Sequence, residues 1–242
     1  SSLVAEIQAI KTIEIAKTIT HQESSVGESK DVYVPEIAKD ITEQISFEAR
    51  ESVYVDSKSG VSARLSISAF ENLISSARRR MLINGESNTV LRMTDFNAVI
   101  SAINGKIELV YEGEQEGAEQ ISYHLISQAC KTLFPSYFPE IKKLEKDDEN
   151  GPYDKLLGWF LSDNELFLED TLDDRLYRDT LEMIPDIKNI IQIHQPNCSK
   201  QDLFFMMEFL LWGLEANKRL NKYRTLEGFQ FKDSLGSYIS GL

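Results

Sequence analysis

Ser59-Gly60-Val61-Ser62-Ala63-Arg64-Leu65 runs directly into Ser66-Ile67-Ser68-Ala69-Phe70-Glu71-Asn72-Leu73-Ile74-Ser75-Ser76-Ala77-Arg78-Arg79-Arg80-Met81-Leu82-Ile83-Asn84. Ser68 and Glu71 have the spacing of a capping box, in which each side chain satisfies an orphan backbone donor of a helix start. Phe70, Leu73, Ala77 and Met81 recur every three to four residues, so the stretch predicts a helix over 67–84 with one buried side. Gly85 follows as its stop. Gly60 opens the turn ahead of the helix, and Arg64 stands at the junction. A side chain there is aimed outward from a rigid base.

The same period extends in both directions. Upstream, Pro35 suits a helix start because its missing N–H costs nothing there. Ile37, Ile41, Ile45 and Ala49 then share one face of a helix over 35–52. Residues 53–65 read as a loop. Leu3, Ile7, Ile10, Ala16 and Ile19 predict an opening helix over 2–22, and the polar residues 24–30, with Gly27, a flexible connection. Downstream, Thr94 caps a helix over 94–104 that turns Phe96, Val99, Ile100 and Ile103 inward. Ile107, Leu109 and Tyr111 alternate as in one short strand, which needs a partner. Residues 112–119 read as an acidic, mobile loop. A helix over 119–134 is expected to end at Pro135. The charged run 145–152 is the best internal boundary. Helices over 153–161, 172–184, 186–193 and 199–222 follow. The last carries Phe204, Phe205, Phe209, Leu210, Trp212 and Leu214 on more than one face, which places it at the centre of a C-terminal bundle. No repeat or low-complexity segment is present.

Composition narrows the function. The chain has 242 residues, 42% hydrophobic and 27% charged, an ordinary globular mix. Its net charge is -13, spread over both halves. An acidic surface repels phosphate backbones, which argues against nonspecific nucleic-acid binding and against anionic membranes. Cys130 and Cys198 make no disulfide scaffold, which favours a reducing cytoplasm. No apolar run is long enough to span a bilayer. The start, Ser1-Ser2-Leu3, already lies in an amphipathic pattern without a methionine, as expected of a fragment of a longer protein.

Little else carries chemistry. No G-x-x-x-x-G-K-[ST] phosphate loop occurs. His21, His124 and His194 are far apart and form no ligand pair. No Cys–His–Asp or G-x-S-x-G pattern supports nucleophilic catalysis. Glu169, Asp170, Asp173 and Asp174 suit the first turn of a helix, where the macrodipole favours acids. Arg78, Arg79 and Arg80 point about 100° apart around their helix, so at most two face one partner. They read either as a solvated face with one arginine lying along apolar surface or as an inter-subunit or nucleotide-facing contact, with Arg78 and Arg79 the candidates for an interface. Lys218, Arg219, Lys222 and Arg224 are cations expected near the end of the last helix.

The segment Ser59-Gly60-Val61-Ser62-Ala63-Arg64, followed by Leu73, Ala77-Arg78-Arg79, Gly85, Val90 and Asp95, resembles the lid of AAA+ ATPases of the magnesium-chelatase subunit I and MoxR-like clade. Val34-Pro35-Glu36-Ile37, Ile45-Ser46-Phe47-Glu48-Ala49-Arg50, Gly105-Lys106-Ile107-Glu108 and the run Leu214 to Lys222 resemble a bacterial magnesium-chelatase-like branch. The resemblance is specific over about 34–110. It implies an all-α chain with at most one small β element: a connecting helix and linker over 1–33, a helical lid over 34–110 and a second helical subdomain over 111–242. It implies that Arg64 is the sensor-2 residue, which contacts the γ-phosphate. ATP and Mg would belong to the parent protein, with none held by this fragment. Partners would be the upstream AAA+ core, other copies in a homo-oligomeric ring and a client protein to be remodelled. The physical logic is that a guanidinium makes planar, forked bonds to phosphate. On a lid it links the presence of γ-phosphate to lid orientation. The competing class is a non-catalytic helical adaptor whose grooves bind partner helices.

Overall fold

A computed structural model describes residues 13–22, 24, 30–56, 64–141 and 151–234. The fold is mostly helical, as the periodicity predicts, and its small β elements form two sheets where one element at most was expected. The described chain forms two compact units. The first takes in the described residues up to Arg79, Ser87–Leu91 and Asp95–Ala129, and the second Arg80–Glu86, Arg92–Thr94 and the described residues from Cys130 onward.

The first unit begins with a helix over 13–22 (α1). Strand β1 (Val32–Tyr33) leads into helix α2 (Glu36–Glu51), with Pro35 at its N-cap in extended backbone. Ile37, Ile41, Ile45 and Ala49 are all buried, so the four-residue spacing reports a real core face. Helix α3 (Arg64–Ile83) buries Leu65, Ala69, Phe70, Leu73, Ile74 and Ala77 in the same way. Strand β2 (Thr89–Val90) pairs in parallel with β1, Val32 against Thr89 and Tyr33 against Val90. A 3-10 turn (Met93–Ala98) passes into helix α4 (Val99–Asn104). The strand expected near Leu109 finds its partner in a single antiparallel bridge to Val55. Residues expected to form a mobile loop instead form helix α5 (Tyr111–Glu116). Helix α6 (Ala118–Tyr137) continues two residues past Pro135, the expected stop. A proline in a last turn removes only its own donor, and Phe138 N still bonds Phe134 O at 2.9 Å.

At its far end, in the second unit, α3 closes as the sequence predicts. Gly85 takes φ 66°, and Glu86 N donates to Met81 O at 2.9 Å, the six-to-one bond of a Schellman cap. Beyond α6 come helix α7 (Asp154–Leu161), strand β3 (Leu166–Glu169) and helices α8 (Asp174–Glu182), α9 (Ile187–His194) and α10 (Leu203–Ala216). Strands β4 (Leu220–Arg224) and β5 (Gly228–Asp233) complete an antiparallel sheet of order β3-β5-β4. Every residue of α10 from Phe205 to Leu214 is buried. A Cβ at Gly213 would run into the Phe134 ring, so glycine is required there by contact alone.

The expected helix over 199–222 is corrected here. It stops at Ala216, and the chain turns back as β4. Lys218 takes the left-handed conformation at φ 60°, and Arg219 N bonds Leu214 O at 2.8 Å. This is a capping turn without its usual glycine, so the sequence carries no stop signal. The cations expected to complement a helix end do different work. Lys222 lies on β4 against Trp212. Arg224 makes a forked pair with Asp170, at 2.7 and 3.1 Å.

Candidate functional site

Arg64 is exposed on the first turn of α3, while Leu65 and Ser66 beside it are buried. The five residues of the motif that lead into it, 59–63, lie outside the described residues. The base under Arg64 is polar and closed. Ser66 Oγ donates to Glu43 Oε2 at 2.7 Å, and Thr20 Oγ1 donates to Glu43 Oε1 at 2.6 Å. Ser46 Oγ and Ser66 Oγ are 2.7 Å apart. A hydroxyl has one proton, so with Ser66 committed to Glu43 it is Ser46 that donates to Ser66. Glu43 is 3% exposed, and each carboxylate oxygen holds one of these donors. A buried carboxylate of this kind is tolerated because hydrogen bonds replace its water.

A second fixture joins α1 to α2. Lys17 Nζ lies 2.7 Å from Glu14, 2.7 Å from Glu36 and 2.8 Å from Asp40. Burial works against the ammonium, but its bonds to Asp40, Glu14 and Glu36 outweigh burial and hold its pKa well above the usual lysine value. Glu36 is held below the usual carboxylate value, because bonds from Lys17 and Lys39 outweigh the opposing effect of burial. Glu14, Glu36 and Asp40 are the one group of metal-ligating side chains that converge among the described residues. Their oxygens already surround an ammonium, so the arrangement is a socket for Lys17.

The arginine run fans out as helical geometry requires. Arg78 makes a forked pair with Asp31, Nε to Oδ2 at 2.8 Å and Nη2 to Oδ1 at 2.9 Å, and this bond raises its pKa. Asp31 also offers its carbonyl to Thr89 N, beside the β1–β2 pair. Arg79 is exposed, and Arg80 is 2% exposed. Arg64 and Arg78 are fourteen positions apart on one helix, roughly 21 Å at 1.5 Å per residue, so they form no common site.

In the second unit, a buried group escaped sequence reasoning. Glu208 is fully buried and accepts from Tyr177 Oη at 2.8 Å and from Met93 N at 3.0 Å. Arg92 donates to Leu172 O at 2.7 Å, and its guanidinium carbon lies 4.0 Å from the centre of the Tyr177 ring. Burial first, then the Glu208 charge, push the Tyr177 phenol well above its usual pKa. The signal was a lone acid inside the apolar run Leu203–Leu214. With its groups closed on one another, the cluster is a structural clamp.

An open cleft of about 320 Å³ in the same unit is lined by Arg178, Lys188, Lys200, Cys198 and Phe204. Burial, with Asp202 adding to it, pushes the Cys198 thiol up to about 11. The shift favours the protonated thiol over the nucleophilic thiolate at neutral pH. His21 and His124 are exposed, and no histidine joins a metal-ligating group among the described residues. No helix among the described residues is long and apolar enough to cross a membrane.

Comparisons with protein-family models, with characterised proteins and with solved structures find no match to this chain.

Proposed function

We propose that this chain is the C-terminal, non-catalytic portion of an AAA+ ATPase of magnesium-chelatase type, with Arg64 as the lid arginine that senses bound ATP. The observation that carries the reading is the position of Arg64. It is exposed at the very start of a 20-residue helix, on a turn whose next two residues are buried and whose Ser66 bonds Glu43. A charged fork on such a mount can meet a phosphate presented from outside the unit. The resemblance over 34–110 names that phosphate as the γ-phosphate of ATP on an upstream core. Loss of the phosphate on hydrolysis then frees the lid to turn, and a client is remodelled by that motion.

The test is ATP hydrolysis by the full-length protein. Arg64→Ala should lower turnover roughly a hundredfold, the scale for losing one aimed donor to developing charge. In this chain alone the same change should leave stability within about 0.5 kcal/mol. A destabilised chain with unchanged hydrolysis in the full-length protein would refute the sensor role.

A further inference from the structure

Glu43 is the polar centre of the first unit, and it touches three helices. It sits on α2, its Oε1 accepts from Thr20 on α1, and its Oε2 accepts from Ser66 in the first turn of α3. Ser66 is two residues beyond Arg64. Ser46, also on α2, braces Ser66 from the side. The four side chains are all buried, so a lost partner leaves a polar atom that must be satisfied again.

We infer that Glu43 is a positioning residue that couples the seat of α1 to the aim of Arg64. The inference rests on the sensor reading for its role in turnover, but the coupling itself is geometric. A carboxylate shared between two hydroxyls from different helices ties their placement together. If α1 shifts and Thr20 withdraws, Oε1 is left buried without this donor. Glu43 then turns to recover one, and Ser66 loses its acceptor or follows it. The Arg64 turn moves with Ser66. A cavity of about 20 Å³ lined by Thr20, His21, Thr42, Glu43 and Phe70 gives the contact room to do this. That volume admits about one water-sized group, so the joint is not jammed solid. The Lys17 socket holds the same face of α1 to α2 one turn earlier and acts as its pivot.

The experiment uses Thr20→Val in the full-length protein, because Thr20 lies on α1, outside Arg64's own turn, and its hydroxyl bonds Glu43. Valine keeps the shape and deletes the donor. Thr20→Ser, which keeps the hydroxyl, is the rescue. Hydrogen exchange should quicken at the amides of residues 65–69, at least about threefold, with no change at 73–77 farther along α3. Turnover should fall about tenfold, as for a misaimed group. In an Arg64→Ala background, Thr20→Val should cause no further fall, since it acts through Arg64. Thr20→Ser should match the unaltered protein in all three measurements. Unchanged exchange at 65–69, or exchange quickened uniformly through the first unit, would overturn the coupling. So would effects on turnover that multiply. Coupled exchange together with unchanged turnover in Arg64→Ala would remove the sensor reading and leave the coupling standing.

Discussion

Lys222 Nζ stands 3.4 Å from the centre of the Trp212 ring, and Glu215 Oε2 lies 3.1 Å from the same ammonium. A strand thereby locks onto the central helix of the second unit through a cation held between a π face and a carboxylate. The Lys222 side chain is only 9% exposed, so the contact is largely desolvated. Such a contact contributes about 2 kcal/mol, and the lysine stem adds packing. Lys222→Ala should therefore cost about 3 kcal/mol in chemical denaturation followed by Trp212 fluorescence. A loss under about 0.5 kcal/mol would show the stack to be incidental.

Glu208 makes a sharper forecast. Tyr177→Phe removes one donor to a buried carboxylate and should cost about 2 kcal/mol, the scale of a bond to a charged group. Glu208→Leu takes the acceptor from the Met93 amide, leaves the Tyr177 hydroxyl only its longer 3.3 Å bond to Phe204 O and removes the carboxylate beside the nearby guanidinium, and should cost about 3–5 kcal/mol. The order of the two, read from denaturant midpoints, is the check. Equal effects would mean that the clamp does not centre on Glu208.

The Lys17 socket should have a pH window with two edges. Lys17 has its pKa raised in the fold, so its contribution is complete below its usual value of 10.5 and fades as pH rises through the higher folded value. Glu36 has its pKa lowered, so its contribution is present above its usual 4.5 and fades as pH falls through the lower folded value. The Glu36 side chain is 64% exposed, which makes the acid edge shallow. Protection of α1 amides, with the intrinsic pH dependence of exchange divided out, should be greatest between these edges and fall beyond each. A flat profile across the alkaline edge would count against the socket.

The two cysteines should differ from ordinary thiols. Cys198, raised to about 11, carries only about a thousandth of its population as thiolate at pH 8. Burial, with the neighbouring Glu215 and Glu208 charges against Lys222, pushes Cys130 up to about 12. Alkylation at pH 8 should label Cys198 slowly and Cys130 only after unfolding, as read by mass spectrometry. Rapid labelling of Cys130 in the folded chain would contradict its burial.

Much of the first unit was legible because its apolar spacing and its punctuation agree. Ile37, Ile41, Ile45 and Ala49 predicted the α2 face, and Gly85 marked the end of α3. The second unit was harder. Lys218 turns α10 into β4 without a glycine, so a helical period seemed to run on to Lys222. β3 is four residues long, too short for alternation to declare itself. At the site, the exposure of Arg64 could be expected from its junction. Glu43 could not. It lies two positions from both Ile41 and Ile45, on the far side of the helix from their stripe, and only Thr20 and Ser66, distant in sequence, explain its burial. The cations of the last segment were misplaced for the same reason: their partners, Trp212 and Asp170, are set by the sheet.

The two-residue pairing of β1 with β2 has a consequence for how the first unit comes together. Val32 meets Thr89 only after all of α2 and α3 has been folded back between them, and a parallel pair cannot be closed by a hairpin. Two ladder residues offer little to offset the closure entropy of so long a loop. The pair therefore cannot act as a nucleus. It is expected to form late, once the helices have brought its ends together, with Arg78 on α3 clasping Asp31 at its edge. The strand pair is a latch on a finished helical unit: easily sprung at one end while the Ile41 and Leu73 core stays shut.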